Sequence, residues 1–152
     1  LVVTAAQRAL ACCRDTIAEV SDPSGTTPGQ ALGALGRELS DRFGIAIEVD
    51  APPDGRLTPL ARHHLSRIVR EAVTNAVRHG GANHVAVTLA RAQHGVALRV
   101  VDDGHVAGDD DRGRAVEGFG MRSMRQRAAA LGGGFEVRQS LDGGTELEVV
   151  VP

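Results

Sequence analysis

The 152-residue sequence contains no tryptophan and no tyrosine, and its only aromatic side chains are three phenylalanines. Its core must therefore be built from Val, Leu, Ile and Ala, and the scarcity argues against an aromatic platform for stacking single-stranded nucleic acid. A strong charge of either sign is also missing. The formal net charge of -2 offers no general attraction to DNA or to an anionic membrane. The two cysteines, Cys12 and Cys13, are neighbours and cannot build a disulfide framework, which fits a reducing, cytoplasmic compartment. No apolar run approaches the roughly 20 residues needed to span a bilayer, and no signal peptide is visible. The chain begins at Leu1 rather than Met, which points to a piece of a longer protein. What remains is an ordinary globular balance, 42% hydrophobic and 24% charged, in a length that suits one domain.

Along the chain, Val3, Ala6, Leu10, Cys13, Ile17 and Val20 recur in alternating steps of three and four. That spacing describes either a coiled-coil seam or an ordinary amphipathic helix. "SDPSGTTPG" (21–29) reads as a linker, and a helix runs from about Pro28 to Phe43 with Gly44 closing it. "IAIEVD" (45–50) alternates as a strand, and "APPDG" is a turn. Thr58-Pro59 then caps a long helix that reaches about His79. Strands follow at 84–90 and 96–102, joined around His94-Gly95. After an irregular stretch at 103–118 comes a helix from about Met121 to Leu131, whose buried stripe is Met121, Met124, Ala128 and Leu131. "FEVRQS" (135–140) and "TELEVVV" (145–151) pair across "LDGG" as a hairpin. The expected fold is an α/β two-layer sandwich: a mixed sheet of about five strands covered on one face by helices.

Chemistry concentrates on the long helix. In "REAVTNAVRHG", Glu71, Asn75, Arg78 and His79 fall within an arc of roughly 100°, beside the apolar arc of Leu65, Val69, Ala72, Val73 and Ala76. Taken alone, such a stripe describes a solvated helix face with an internal ion pair. It has company, however. A strand ending at Val100-Val101-Asp102 delivers a carboxylate to the sheet edge, with Gly104 beside it to admit a ligand to the backbone. "GFGM" (118–121) sets glycines just before a helix, where free N–H groups and the helix dipole favour phosphate. "GGT" (143–145) puts a hydroxyl at the start of the last strand.

With these motifs in this order, "REAVTNAVRHGGA" (70–82), "DDGHV" (102–106), "GFGMRSMRQRAAALGG" (118–133) and "GGT" (143–145), the chain resembles the catalytic ATP-binding domain of sensor histidine kinases. It is most similar to the nitrate-sensor class of two-component kinases within the GHKL superfamily, whose Bergerat fold gyrase shares. The resemblance covers about residues 56–152. It implies ATP and Mg²⁺ as cofactors. Asn75 would bind Mg²⁺ through its amide oxygen and Glu71 would hold a metal-bound water. Arg78, where Lys is commoner, and His79 would face the phosphates, and Asp102 would accept the adenine amino proton. Gly118 and Gly120, with Met121 beside them, would let a lid close over the triphosphate, and Thr145 would join the water network around Asp102. It also implies the domain division: 1–20 as the tail of a dimerisation and phosphoacceptor helix, 21–29 as linker, 30–152 as catalytic domain. The implied partners are that dimerisation domain, a response regulator and a second copy of the parent kinase, with no nucleic acid and no membrane contact by this piece.

No histidine here stands in an acceptor context. "RELSD" (37–41) has Ser40 where the acceptor histidine would be and lies past the linker, and the adjacent His63 and His64 read as surface positions. One departure bears on function. The expected Asp-x-Gly-x-Gly turn has Val106 in place of its second glycine, where Val resists the sharp turn. Gly108 and the acidic "DDDRGR" (109–114) follow, the latter as part of the lid. A calcium loop is not indicated, since Glu117 comes too close for that register. The departure leaves an alternative open: a nucleotide-poor module of the same superfamily acting as a signalling or dimerisation scaffold. An anti-sigma serine kinase of that superfamily fits the N-terminal seam and "GMRSMRQRAAALGG" less well.

Overall fold

A computed structural model of the chain describes residues 25–52, 56–105 and 118–152. The N-terminal seam, most of the proposed linker, Val106, Gly108 and the "DDDRGR" stretch lie outside the described residues.

Helix α1 (Pro28–Phe43) starts where local chemistry dictates. Thr27 Oγ1 accepts from the Gln30 amide at 3.2 Å, and Gln30 Oε1 accepts from the Thr27 amide at 2.9 Å, a reciprocal capping box ahead of a proline that is already set for helix. Gly44 ends it in the left-handed region, at φ 67°. Ser40 donates its hydroxyl to the Ile45 carbonyl at 2.6 Å, so this residue ties the helix end to strand β1 (Ala46–Asp50). Helix α2 (Pro59–Gly80) begins the same way, with Thr58 Oγ1 accepting from the Ala61 amide at 3.1 Å. It stops at Gly81, where Ala82 and Gly81 return hydrogen bonds to the Ala76 and Val77 carbonyls.

Strands β2 (His84–Ala92) and β3 (Gly95–Asp102), helix α3 (Phe119–Ala130), and strands β4 (Gly134–Gln139) and β5 (Thr145–Val151) complete the described elements. The sheet order is β1-β2-β3-β5-β4; β1 pairs parallel with β2 and the other neighbours are antiparallel. Strand alternation decides what lies under the helices. Val85, Val87 and Leu89 of β2, Leu98 and Val100 of β3, and Leu147, Val149 and Val151 of β5 are buried, and they join Leu32, Leu35 and Leu39 of α1, Leu65, Ile68 and Val73 of α2, and Met124 of α3 in one core. Several of the residues facing the other way carry charge. Arg99 forms a two-pronged pair with Glu146, both contacts at 2.9 Å, and Arg138 reaches Glu148 at 2.9 Å. The expected two-layer sandwich is the observed one.

Three local expectations change. Helix α3 starts at Phe119, two residues early, because Gly118 in extended conformation serves as its N-cap. Of the expected buried stripe only Met124 and Ala128 are fully buried; Met121 faces a cavity and Leu131 is the half-exposed C-cap. His63 and His64 are half-buried rather than on the surface, since the N-terminal half of α2 is overlaid by α3: His64 Nδ1 lies 3.4 Å from Arg127 Nη1.

Candidate nucleotide site

Glu71, Asn75, Arg78 and His79 all line one cavity of about 530 Å³, bounded by α2, the end of β3, the start of β5 and the N-terminus of α3. That volume is in the range of small-molecule sites. Its apolar wall is made by Ala72, Ala76, Val100, Met124 and Leu147, all buried. The polar residues sit on the same helix face one and two turns apart. Glu71 and Asn75 are half-buried, while Arg78 and His79 are exposed at the rim.

Asp102 arrives by strand alternation. Leu98 and Val100 point to the helix side, so the next residue of that phase does too, at the point where β3 ends. Its Oδ1 accepts from the Gly104 amide at 2.9 Å and the Thr145 amide at 3.3 Å. Both donors converge on one oxygen, which leaves Oδ2 as the acceptor for a ligand in the cavity. Asp103 points the other way and does structural work that the sequence reading did not assign. Its Oδ1 accepts from the Asn83 and His84 amides, each at 2.9 Å, and these two bonds, His84 foremost, hold its carboxyl below the usual aspartate value. The two adjacent aspartates thus divide into one for the cavity and one for the α2–β2 turn.

Helix α3 presents its N-terminus to the same space through Gly118, Phe119, Gly120 and Met121. No side chain caps it, so its first-turn N–H groups and the positive end of its dipole are available to an anion. The two glycines differ. A Cβ on Gly118 would meet nothing within 4 Å, whereas one on Gly120 would collide with Glu71 Oε1 and meet Asn75 Nδ2 at 3.0 Å. Gly120 is what allows α3 to close against the acid–amide pair.

The comparisons with known proteins bear on this geometry. Residues 61–152 match the family described as histidine kinase-, DNA gyrase B-, and HSP90-like ATPase. The chain belongs to this family. Members bind ATP, and the cavity holds every expected site residue except Gly104. Among relatives, the chain is 39% identical over 127 residues to the nitrate/nitrite sensor protein NarX of Escherichia coli (strain K12), covering 82% of this chain and 21% of that protein. It is 35% identical over 130 residues to the sensor histidine kinase LiaS of Bacillus subtilis (strain 168), covering 84% and 36%. The chain therefore spans about a fifth to a third of these curated relatives. The histidine kinase domain of the blue-light activated histidine kinase from Erythrobacter litoralis EL346 has the same fold, with TM-score 0.70 at 20% identity over 88% of this chain and 66% of that one. The ATP binding domain of PrrB from Mycobacterium tuberculosis superposes with TM-score 0.61 at 24% identity over 82% and 92%.

Gly104 is the family motif residue that the structure places elsewhere. It is buried and does not line the cavity; a Cβ there would meet Gly80 O at 2.8 Å and Asp102 Oδ1 at 2.9 Å. The close approach of the α2 end, to which His105 also donates its amide at 2.8 Å, demands the glycine. Thr145, expected in a water network around Asp102, also donates its amide directly to Asp102 Oδ1. His105 and Phe119 also line the cavity and were missed. The available signal was position alone: each immediately follows a motif glycine.

Proposed function

We propose that this chain is the catalytic domain of a two-component sensor histidine kinase, positioning Mg-ATP for transfer of the γ-phosphoryl group to a histidine on a dimerisation domain, with onward transfer to a response regulator. The supporting observation is the convergence of Glu71, Asn75, Asp102, Thr145 and the uncapped α3 N-terminus on one cavity within a histidine-kinase-like ATPase fold. The adenine amino group donates to Asp102, whose carboxylate is held by two backbone amides. The phosphates lie toward the first turn of α3, with Arg78 and His79 at the rim. Transfer breaks the bond from the γ-phosphorus to the β-γ bridging oxygen and forms one to an imidazole nitrogen, with ADP leaving. The protein supplies position and charge neutralisation rather than covalent chemistry.

Asn75 and Glu71, one turn apart on α2, offer an amide oxygen and a carboxylate of the hard type Mg²⁺ prefers. Phosphate oxygens and water would complete the coordination of such an ion. Bound there, Mg²⁺ would neutralise charge on the β- and γ-phosphates. In this reading the domain works in a homodimer, beside the dimerisation domain that carries the acceptor histidine. No helix among the described residues is long and apolar enough to cross a membrane.

Calorimetry of Mg-ATP binding, wild type beside Asp102→Asn, tests the reading. Loss of the carboxylate weakens binding at least about tenfold, since a charge-assisted hydrogen bond is lost and the adenine amino group then faces an amide. Equal affinity in the two proteins would refute the assignment of Asp102. No binding by wild type, restored by Val106→Gly, would favour the scaffold reading.

A further inference from the structure

The β4–β5 turn, residues 140–144, lies outside the helix-borne motifs, yet it backs directly onto Asp102. A Cβ on Gly144 would overlap the Asp102 main-chain oxygen, and would stand 2.7 Å from its carbonyl carbon and 3.0 Å from Oδ1. The next residue, Thr145, donates its amide to that same Oδ1. Gly144 is buried, and its carbonyl accepts from the Ser140 amide at 2.8 Å, while Gly143 returns an amide to the Ser140 carbonyl at 3.1 Å. The turn is therefore a closed, hydrogen-bonded unit pressed against the end of β3. Gly104 donates its amide to the same Oδ1 at 2.9 Å. The Asp102 carboxylate thus has two closely approaching glycines from different parts of the chain beside it, Gly104 and Gly144.

We infer that Gly144 is a positioning residue for base selection: the β4–β5 turn, through it, fixes the rotation of the Asp102 carboxylate and so the preference for a purine carrying a 6-amino group. This rests on the assignment of Asp102 to the base. The logic is steric. A methyl group at 144 cannot coexist with the present Asp102 backbone, so either the strand end or the turn must shift, and both movements carry the Thr145 amide away from Oδ1. A carboxylate freed from one of its two donors rotates and no longer selects between an amino donor and a carbonyl at the purine 6-position. The phosphate end of the site, built on α2 and α3, is untouched.

The test compares affinity for Mg-ATP and Mg-ITP, which differ at that position, in the full chain by calorimetry. Wild type prefers ATP. In Gly144→Ala the ATP/ITP affinity ratio falls by about tenfold, the worth of one well-aligned hydrogen bond to a charged group, while ITP affinity changes less than twofold. A ratio unchanged in Gly144→Ala, whether both affinities hold or fall together, overturns the inference. Ser140→Pro removes the Ser140–Gly144 hydrogen bond without adding bulk beside Asp102, so it provides the same reading if the alanine variant does not fold; an unchanged ratio there also overturns it. Asp102→Asn run alongside separates the two levels. If it keeps the wild-type ratio, the assignment of Asp102 fails; if it loses the ratio and the turn variants do not, only the role of Gly144 fails.

Discussion

The two glycines of "GFG" resemble each other in sequence and differ in the structure, which makes their alanine variants a sharp test of the site. At Gly118 the backbone is extended (φ -60°, ψ 158°), a conformation open to alanine, and a Cβ would meet nothing within 4 Å. The expected cost is that of replacing glycine by a poorer N-cap, up to about 1 kcal/mol. At Gly120 alanine gains about 1 kcal/mol of helix propensity, but its methyl collides with Glu71 Oε1 and stands 3.2 Å from Glu71 Cδ. Carbon contacts settle at about 3.5–4.0 Å, so the Glu71 carboxylate must move by on the order of 1 Å. It is the end of a flexible, half-buried side chain, so the movement is cheap for the fold. The melting temperature of Gly120→Ala therefore stays within about 4 °C of wild type, the shift that 1 kcal/mol brings in a domain of this size. Phosphoryl transfer is less forgiving, since a displacement of about 1 Å at a reacting centre can cost a hundredfold. The assay joins this chain to a histidine-bearing dimerisation region and follows transfer from radiolabelled ATP. Gly118→Ala stays within a few-fold of wild type, and Gly120→Ala falls by one to two orders of magnitude. A folded Gly120→Ala that transfers at the wild-type rate would show that the placement of Glu71 against α3 does not matter, and the role given to Glu71 would go with it.

The same comparison works within α1. Gly33→Ala meets only the end of Arg37 at 3.6 Å and raises stability by about 0.5–1 kcal/mol, whereas Gly36→Ala drives its Cβ to 2.6 Å from Val49 Cγ2 on β1 and lowers stability by about 1–3 kcal/mol; denaturant melts of both variants check the opposite signs. Asp103 is lowered in pKa by the His84 and Asn83 amides, so its contribution is present above the unfolded aspartate value and is lost as pH falls through the lower folded one. Asp103→Asn should accordingly flatten the acid limb of the stability curve, and urea melts from pH 7 down to pH 3 with a limb as steep as wild type would refute this. The Arg70–Glu38 pair joining α2 to α1 is two-pronged, at 2.7 and 3.1 Å, but both side chains are substantially exposed. A double-mutant cycle should give no more than about 1 kcal/mol, and a larger coupling energy would mean the pair is better shielded than its exposure shows.

Much of the fold was legible because the signals are local. Thr27 and Thr58 before prolines, glycines after the last helical turns, and period-two alternation in "HVAVTLA" each act over a few residues, so they survive without knowledge of the partner element. The four polar residues of α2 were legible for the same reason: helical geometry puts Glu71, Asn75, Arg78 and His79 on one stripe whatever lies opposite. What the sequence did not carry is contact across elements. Nothing in "DDG" says that one aspartate serves the cavity and the next holds the turn before β2; the division follows from strand phase at the end of β3 and from where Asn83 and His84 lie. Nothing in "GFG" separates Gly118 from Gly120 until α3 is laid against α2.

The same limit applies to the glycines, which the motifs connect with ligand approach at Gly104 and with lid closure at Gly118 and Gly120. A sequence motif records only that a side chain is not tolerated. Gly104 yields to the carbonyl of Gly80, Gly120 to the carboxylate of Glu71 and Gly144 to the backbone of Asp102, and each is a close approach of protein to protein. Of the motif glycines in the described residues, Gly118 is one whose Cβ would meet open space on the cavity wall, and so one that a bound phosphate would crowd. Most of the glycines of this site therefore serve the packing of its walls. They let α2, β3, β5 and α3 approach closely enough that Glu71, Asn75 and Asp102 line one cavity, and under the proposed function that fixed arrangement is what transfer by positioning requires.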